Sequence, residues 1–325
     1  NSTAGGNIIG GLVGVNDGGW DTAIINSSYS AGAVTADSAN YIIGGLAGVN
    51  ANDMSMAIIK NSYWNADKTP ALSAASIIGG AVGSGDQDHI SNVAGLSGSS
   101  LYSASSYSGF SIVDTSSPNY TFGSNTWVIV NGSTLPFLES EYSTTITNAH
   151  QLQLMALKPV ASYTLAANID MAGYNMTRSG DFLPIGTSST AVFTGSLDGG
   201  GYVVSNLTIT DSTSDAVGLF GYIGKGATVS NIGLYNVDIA GGTSSVYVGS
   251  LAGYNDGIVT NVYSTGTVSG NGTVGGLAGL NNGTIQTSYT TAQVVVNGSG
   301  GQAGGLVGEN DNKIINAYST GAVSG

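Results

Sequence analysis

Apolar residues in this chain come in short runs. Stretches such as Thr267-Val268 and Val294-Val295-Val296 are broken by Gly, Asn and Asp, a pattern of brief strands between turns rather than of paired helices. One string recurs as near copies: GGLVGVN at 10–16, GGLAGVN at 44–50, GSLAGYN at 249–255, GGLAGLN at 275–281 and GGLVGEN at 304–310. A second string follows it, from Ile25 to Val34, Val259 to Val268, Ile285 to Val294 and Ile315 to Val323, each with a tyrosine near its middle. Leu251 to Tyr263, Leu277 to Tyr289 and Leu306 to Tyr318 are each twelve residues apart, and Leu12 to Tyr29 and Leu46 to Tyr63 are each seventeen. Insertions therefore fall between strands, in loops.

A repeat of 26 to 34 residues with this pattern predicts an all-β, parallel β-solenoid (β-helix) of stacked coils. Coils about 4.8 Å apart bring the same side chain above itself from turn to turn. Three columns follow: leucines 12, 46, 251, 277 and 306; asparagines 16, 50, 255, 281 and 310; and tyrosines 29, 63, 263, 289 and 318. Leu277 and Ala278 supply inward and packing positions, while the glycines permit a tight corner or a close approach of backbones. Asn16, Asn50, Asn255, Asn281 and Asn310 end their strings, several before a turn signal such as Asp17-Gly18, Asp256-Gly257 or Asn282-Gly283, and stacked amides can form a ladder. For Tyr29, Tyr63, Tyr263, Tyr289 and Tyr318 the leading reading is a packed column, and an exposed sugar-binding stripe is the alternative.

The strings Gly11-Leu12-Val13-Gly14, Gly45-Leu46-Ala47-Gly48 and Gly276-Leu277-Ala278-Gly279 resemble the GLUG-motif repeats of bacterial and archaeal surface proteins. That resemblance covers most of the chain and implies a long parallel β-helix of the secreted adhesin or fibre type.

The repeats stop after Tyr63-Trp64 and the chain changes character until about residue 210. Trp127 to Leu138 resembles the tail that closes a solenoid block. Next comes the one helix signal, Ile146 to Leu157, which Thr147 or Asn148 can cap, with Leu152, Met155 and Ala156 on one face and Pro159 ending it. Two blocks are therefore expected: 1–140, the last coils and closing segment of one, and 141–325, the helix-led opening coils and repeats of a second, with the short helix near the seam. The chain begins at Asn1 rather than Met, as a processed or excised piece would. Across an imagined join of the ends, Tyr318 to Leu12 spans nineteen residues, close to the seventeen of Tyr29 to Leu46. This suggests a tandem array, or subunits whose open ends dock.

Composition narrows the function. Only 8% of residues are charged, so Ser, Thr, Asn and Gly make the surface, and the formal charge of −13 leaves no footprint for nucleic acid. No apolar stretch of membrane-spanning length occurs. The chain has no cysteine, which excludes a disulfide framework and is compatible with an extracellular setting.

Catalytic constellations are weak. His89 and His150 are far apart and lack zinc-site spacing, so loop and helix-surface roles are favoured. Asp86 with Asp88, or Asp211 with Asp215, could pair, but Arg178 is the lone arginine and no pectinase-like motif is present. Asp198-Gly199-Gly200-Gly201 could hold Ca²⁺ through backbone oxygens, though a turn is the simpler account, and no cofactor is implied. Gly218-Leu219-Phe220-Gly221-Tyr222-Ile223-Gly224 lacks dinucleotide spacing. Sequons occur at Asn1, Asn26, Asn119, Asn131, Asn175, Asn206, Asn271, Asn282 and Asn297. The expected function is mechanical and not enzymatic: a repeat module of an extracellular or cell-surface fibre, sheath or adhesin stalk. Its partners are copies of itself or adjoining repeats. The alternatives are a module that grips host or environmental glycans and, less favoured, a polysaccharide-processing β-helix enzyme.

Overall fold

The computed structural model describes residues 7–35, 42–52, 54–68, 78–85, 88–117, 120–211, 213–244 and 246–325. The chain divides into two compact units, Asn1–Glu139 and Ser140–Gly325. It forms the expected parallel β-solenoid, with one short α-helix among the described residues.

In the first unit, Ile8–Gly10, Ile42–Gly44 and Ile78–Gly79 stack as one parallel sheet, and Val13–Asp17, Ala47–Ala51 and Val82–Gly85 as a second. Ala23–Asn26 and Tyr29–Ser30 lie along Ala57–Asn65, which pairs in turn with Ile90–Leu96. The repeat therefore does not stop at Tyr63-Trp64, because a further coil runs to Leu96. Its markers have changed: Gly85 stands in register with Asn50, and Ala94 with Tyr63. After this coil Ile112–Asp114 pairs parallel with Trp127–Ile129, which turns back antiparallel against Phe137–Leu138. Buried Glu139 fastens this segment: its carboxylate accepts from the Tyr120 hydroxyl at 2.9 Å and from the backbone N–H groups of Gly123 and Asn125 at 3.1 and 2.9 Å.

In the second unit one long parallel sheet runs through Thr145–Ile146, Ser162–Leu165, Ser196–Asp198, Thr228–Gly241, Ile258–Gly270, Thr284–Gln286 and Lys313–Ile315. Two companion sheets form the arch of each of the last four coils. One contains Ala216–Val217, Tyr247–Gly249, Thr273–Gly275 and Gln302–Gly304, and the other Phe220–Ile223, Ala252–Asn255, Ala278–Asn281 and Val307–Asn310. The glycines let these two sheets press together backbone to backbone. A Cβ on Gly279 would lie 2.5 Å from the Val248 nitrogen and 2.7 Å from the Gly253 oxygen. Side chains there would force the arch apart.

The helix, Ala149–Leu154, is capped by Asn148, whose Oδ1 accepts from the Gln151 N–H at 3.0 Å. Leu152 and Met155 enter the core, but Ala156 is exposed, against expectation, since Met155–Leu157 tightens into a 3₁₀ turn and rotates that face outward. Gln153 and Leu154 are buried instead, and the Gln153 amide bonds both backbone groups of Leu183, accepting from its N–H at 2.9 Å and donating to its C=O at 3.1 Å.

Candidate functional site

The repeated positions fall into columns within each unit. Leu46, Leu251 and Leu277 are buried, Leu306 is half-buried against the same core as Leu277, and Leu12 is 39% exposed. Their backbones are laddered: the Leu12 N–H donates to the Leu46 C=O at 2.9 Å, Leu251 to Leu277 at 3.0 Å, and Leu277 to Leu306 at 2.8 Å. Leu219 belongs to this series. Its neighbour Phe220 stands in register with Ala252, so Gly218-Leu219-Phe220-Gly221 is another copy of the repeated string, with an aromatic residue in the variable position.

The motif asparagines bond along the stack. Asn16 Nδ2 donates to Asn50 Oδ1 at 2.8 Å, Asn255 to Asn281 at 2.8 Å, and Asn281 to Asn310 at 2.7 Å. Asn50, Asn255 and Asn281 are fully buried, Asn16 is nearly so, and Asn310 is exposed on the last coil. Four of these amides also hold a turn: Asn50 Nδ2 donates to the Ala57 C=O at 2.9 Å, the Gly257 N–H donates to Asn255 Oδ1 at 3.2 Å, Asn281 Nδ2 donates to the Gly283 C=O at 3.5 Å, and Asn310 Nδ2 to the Asn312 C=O at 2.9 Å. Buried amides satisfied in this way stabilise the stack, and leaving one unpaired is costly.

Sequence reasoning missed further asparagine columns, at corners where the backbone adopts positive φ. Asn61 and Asn92 in the first unit, and Asn206, Asn231, Asn236, Asn261 and Asn316 in the second, have φ of 44 to 56°. Asparagine tolerates this left-handed conformation better than most residues. Asn92 donates to Asn61 at 2.8 Å, Asn261 to Asn231 at 2.8 Å, and Asn236 to Asn206 at 2.7 Å. Asn231 donates on to Asp198 at 3.0 Å and Asn206 to Asp170 at 2.8 Å, so in the second unit carboxylates receive the last amide, whereas in the first unit Asn61 donates to Asn26 at 3.3 Å. Both carboxyls are held below the usual aspartate range, Asp198 chiefly by the Gly200 N–H and then Asn231, and Asp170 chiefly by Asn206. The signal available was the Asn two positions before Tyr263 and Tyr318, masked because Ser27 and Thr287 fill the same place.

The tyrosines behave differently in the two units. Tyr263 and Tyr289 stack at 5.4 Å and 11°, and Tyr289 and Tyr318 at 5.0 Å and 4°. Gly233 leaves room for the Tyr263 ring, which a Cβ there would meet at 2.4 Å. Tyr29 and Tyr63 are register partners, yet both rings pack edge-on against buried Tyr107, at 5.8 and 5.1 Å. Tyr107, which the repeat does not mark, donates its hydroxyl to the Leu101 C=O at 2.6 Å. Burial pushes the Tyr29, Tyr63 and Tyr107 hydroxyls above the ordinary tyrosine value.

Two of the candidate carboxylates are engaged in turns. Asp198 Oδ1 accepts from the Gly200 N–H at 3.0 Å, and Asp211 Oδ1 from the Thr213 and Ser214 N–H groups at 2.8 and 3.0 Å. Asp86 lies outside the described residues. His150 sits 3.1 Å from Glu141, and His89 3.2 Å from Asn52 Nδ2. No group of three or more His, Cys, Asp or Glu fit to hold a metal occurs among the described residues, nor does a helix long and apolar enough to cross a membrane.

Of the sequons, Asn1 and Asn119 lie outside the described residues. Asn26, Asn131, Asn175 and Asn297 are exposed, while Asn206, Asn271 and Asn282 are half-buried. A glycan attaches at Nδ2, and that atom bonds Asp170 in Asn206 and Asp256 in Asn282.

Residues 244–269 match the GLUG motif. Over 118 residues the chain is 42% identical to halomucin of Haloquadratum walsbyi, a match covering 35% of this chain and 1% of halomucin. Over 100 residues it is 33% identical to a protein described as a candidate Gly-rich membrane protein of Evansella cellulosilytica, covering 31% of this chain and 12% of that protein. A crystal structure of a candidate immunoglobulin A1 protease from Bacteroides ovatus aligns with a TM-score of 0.45 at 25% identity, over 54% of this chain and 57% of that one. The chain thus spans a small part of the curated relatives that it matches.

Proposed function

We propose that this chain is a structural module of an extracellular or cell-surface fibre, sheath or adhesin stalk of a bacterium or archaeon, with a mechanical rather than catalytic role. In this reading further coils of the same kind continue its stack. The outer face of the last coil carries the proposal. Within the stack Leu251 and Leu277 are covered, whereas Ile315, Tyr318 and Val323 are 42%, 56% and 47% exposed on strands at the edge of the sheet. In the first unit the coil containing Leu12 and Ile24 is likewise open, the latter residue being 55% exposed. Open strand edges with apolar columns favour a further strand. The face at 302–324 is of the kind that a following coil covers, and the face at 8–30 of the kind that a preceding coil covers. A second copy, or an adjoining repeat of the same polypeptide, satisfies both. The names of the two curated relatives, halomucin and a candidate Gly-rich membrane protein, support a surface location.

Sedimentation velocity and negative-stain microscopy on the purified 325-residue chain test this reading. Concentration-dependent linear particles are expected, dispersed by Ile315→Lys with Val323→Lys, which place charge on the open face. Monomers at every concentration, together with a native polypeptide measured at the mass of these 325 residues alone, would contradict it.

A further inference from the structure

One surface of the second unit combines aromatic rings with polar groups. Tyr222, in Phe220–Ile223, stands in register with Tyr254 of Ala252–Asn255, their ring centroids 5.7 Å apart at 32°. Tyr247, on the other strand of the same arch as Tyr254, meets that ring edge-on at 5.8 Å and 73°. With Val192 these half-buried rings line a cleft of about 460 Å³ that also includes Lys225 and Asp256. The cleft lies where the segment between Ile185 and Phe193, joined by isolated bridges to Phe220 and Ile223, replaces a regular strand of the preceding coil. The aromatic patch is local, because Leu280 and Glu309 hold the same register position in the next two coils.

We propose that this cleft binds a neutral pyranose unit of a glycan. Its volume falls in the range of small-ligand sites, about 300–1,000 Å³. A sugar ring presents an apolar C–H face bordered by hydroxyls, so it needs contiguous aromatic surface with hydrogen-bonding groups at the edge. Tyrosine supplies both in one side chain. Burial, and then the charge of Asp215, raises the Tyr222 hydroxyl, while burial and then Asp256 raise that of Tyr254, so both stay protonated donors at neutral pH. Asn282 Nδ2 donates to Asp256 Oδ1 at 3.0 Å, fixing that carboxylate with acceptor capacity to spare. An aromatic cage for a quaternary ammonium would need rings standing apart around the cation. Here the rings touch one another, and a lysine lines the same cleft. The proposal is independent of the fibre reading, since the site lies on the side of the stack and needs no second copy.

Saturation-transfer NMR and calorimetry on the full chain test it, with the methyl glycosides of glucose, galactose, mannose and N-acetylglucosamine as probes and tetramethylammonium as the cation control. At least one glycoside is expected to bind with a Kd of about a millimolar, saturating most strongly at its ring C–H protons. Tyr254→Leu should weaken binding about tenfold or more while leaving the melting temperature nearly unchanged, because leucine already fills that register position at Leu280. Asp256→Asn should weaken it by a smaller factor. Absence of binding by every glycoside, binding indifferent to Tyr254→Leu, or preference for tetramethylammonium would each overturn the assignment.

Discussion

Asn281 is fully buried, accepts from Asn255 at 2.8 Å and donates to Asn310 at 2.7 Å. Removing its side chain takes the acceptor from the buried Asn255 amide, while the exposed Asn310 carbonyl can turn to water. Asn281→Ala should therefore destabilise the second unit by about 1–3 kcal/mol, whereas Asn310→Ala, on the exposed last coil, should change stability by less than about 1 kcal/mol. Thermal or urea unfolding of the two variants checks the contrast, and equal losses would refute the ladder's role. The two kinds of asparagine column also run in opposite senses. Motif asparagines donate toward later coils, while the left-handed corner asparagines donate toward earlier ones. Aspartates 170 and 198 stand where the corner amides point, which places negative charge at the donor end. The motif asparagines were legible because they close a recurring string. The corner asparagines were not, because a left-handed turn accepts Ser27 or Thr287 as well.

At the scale of the element, the arch explains why a glycine-rich string builds a core. Leu277 enters the interior with Ala278 and Val274, and the glycines around them let two sheets meet at close backbone distance. Gly279→Ala puts a methyl group within 2.5 Å of the Val248 nitrogen and should cost about 3 kcal/mol or more. Gly32→Ala, where a Cβ would meet nothing within 4 Å, should be neutral or stabilising by up to about 1 kcal/mol. Calorimetric melts of both proteins separate packing from backbone entropy, and a benign Gly279→Ala would defeat the argument. The sequence pattern identified these arches wherever Leu and Asn flank the glycines. It passed over the coil through Val82–Gly85, where the flanking residues have become Ala81 and Gly85, and over Leu219, where Phe220 enlarges the string. Strand register survives such changes, and coils of 26 and 29 residues share it because the extra residues fall in loops.

For the whole molecule, the fold class was legible because five copies of one string, each followed by a linked tyrosine, mark successive coils. The aromatic cleft was not legible, because Tyr222, Tyr247 and Tyr254 come together through register and an arch rather than through sequence spacing. Both the proposed mechanical role and the proposed sugar site depend on coils lying directly over one another. With no native cysteine in the chain, introduced pairs report that arrangement cleanly. Thr260 and Gln286 are register partners on adjacent coils, and Ile315 follows Gln286 one coil further on. Adjacent strands are about 4.8 Å apart and next-but-one strands about 9.6 Å, while a disulfide needs Cα atoms within about 7 Å. The decisive measurement is oxidation of Thr260→Cys/Gln286→Cys beside Thr260→Cys/Ile315→Cys, read by intact mass on the monomer. The stacked solenoid expects the first pair to close and the second to remain reduced. A first pair that stays open, or a second that closes as readily, would contradict it.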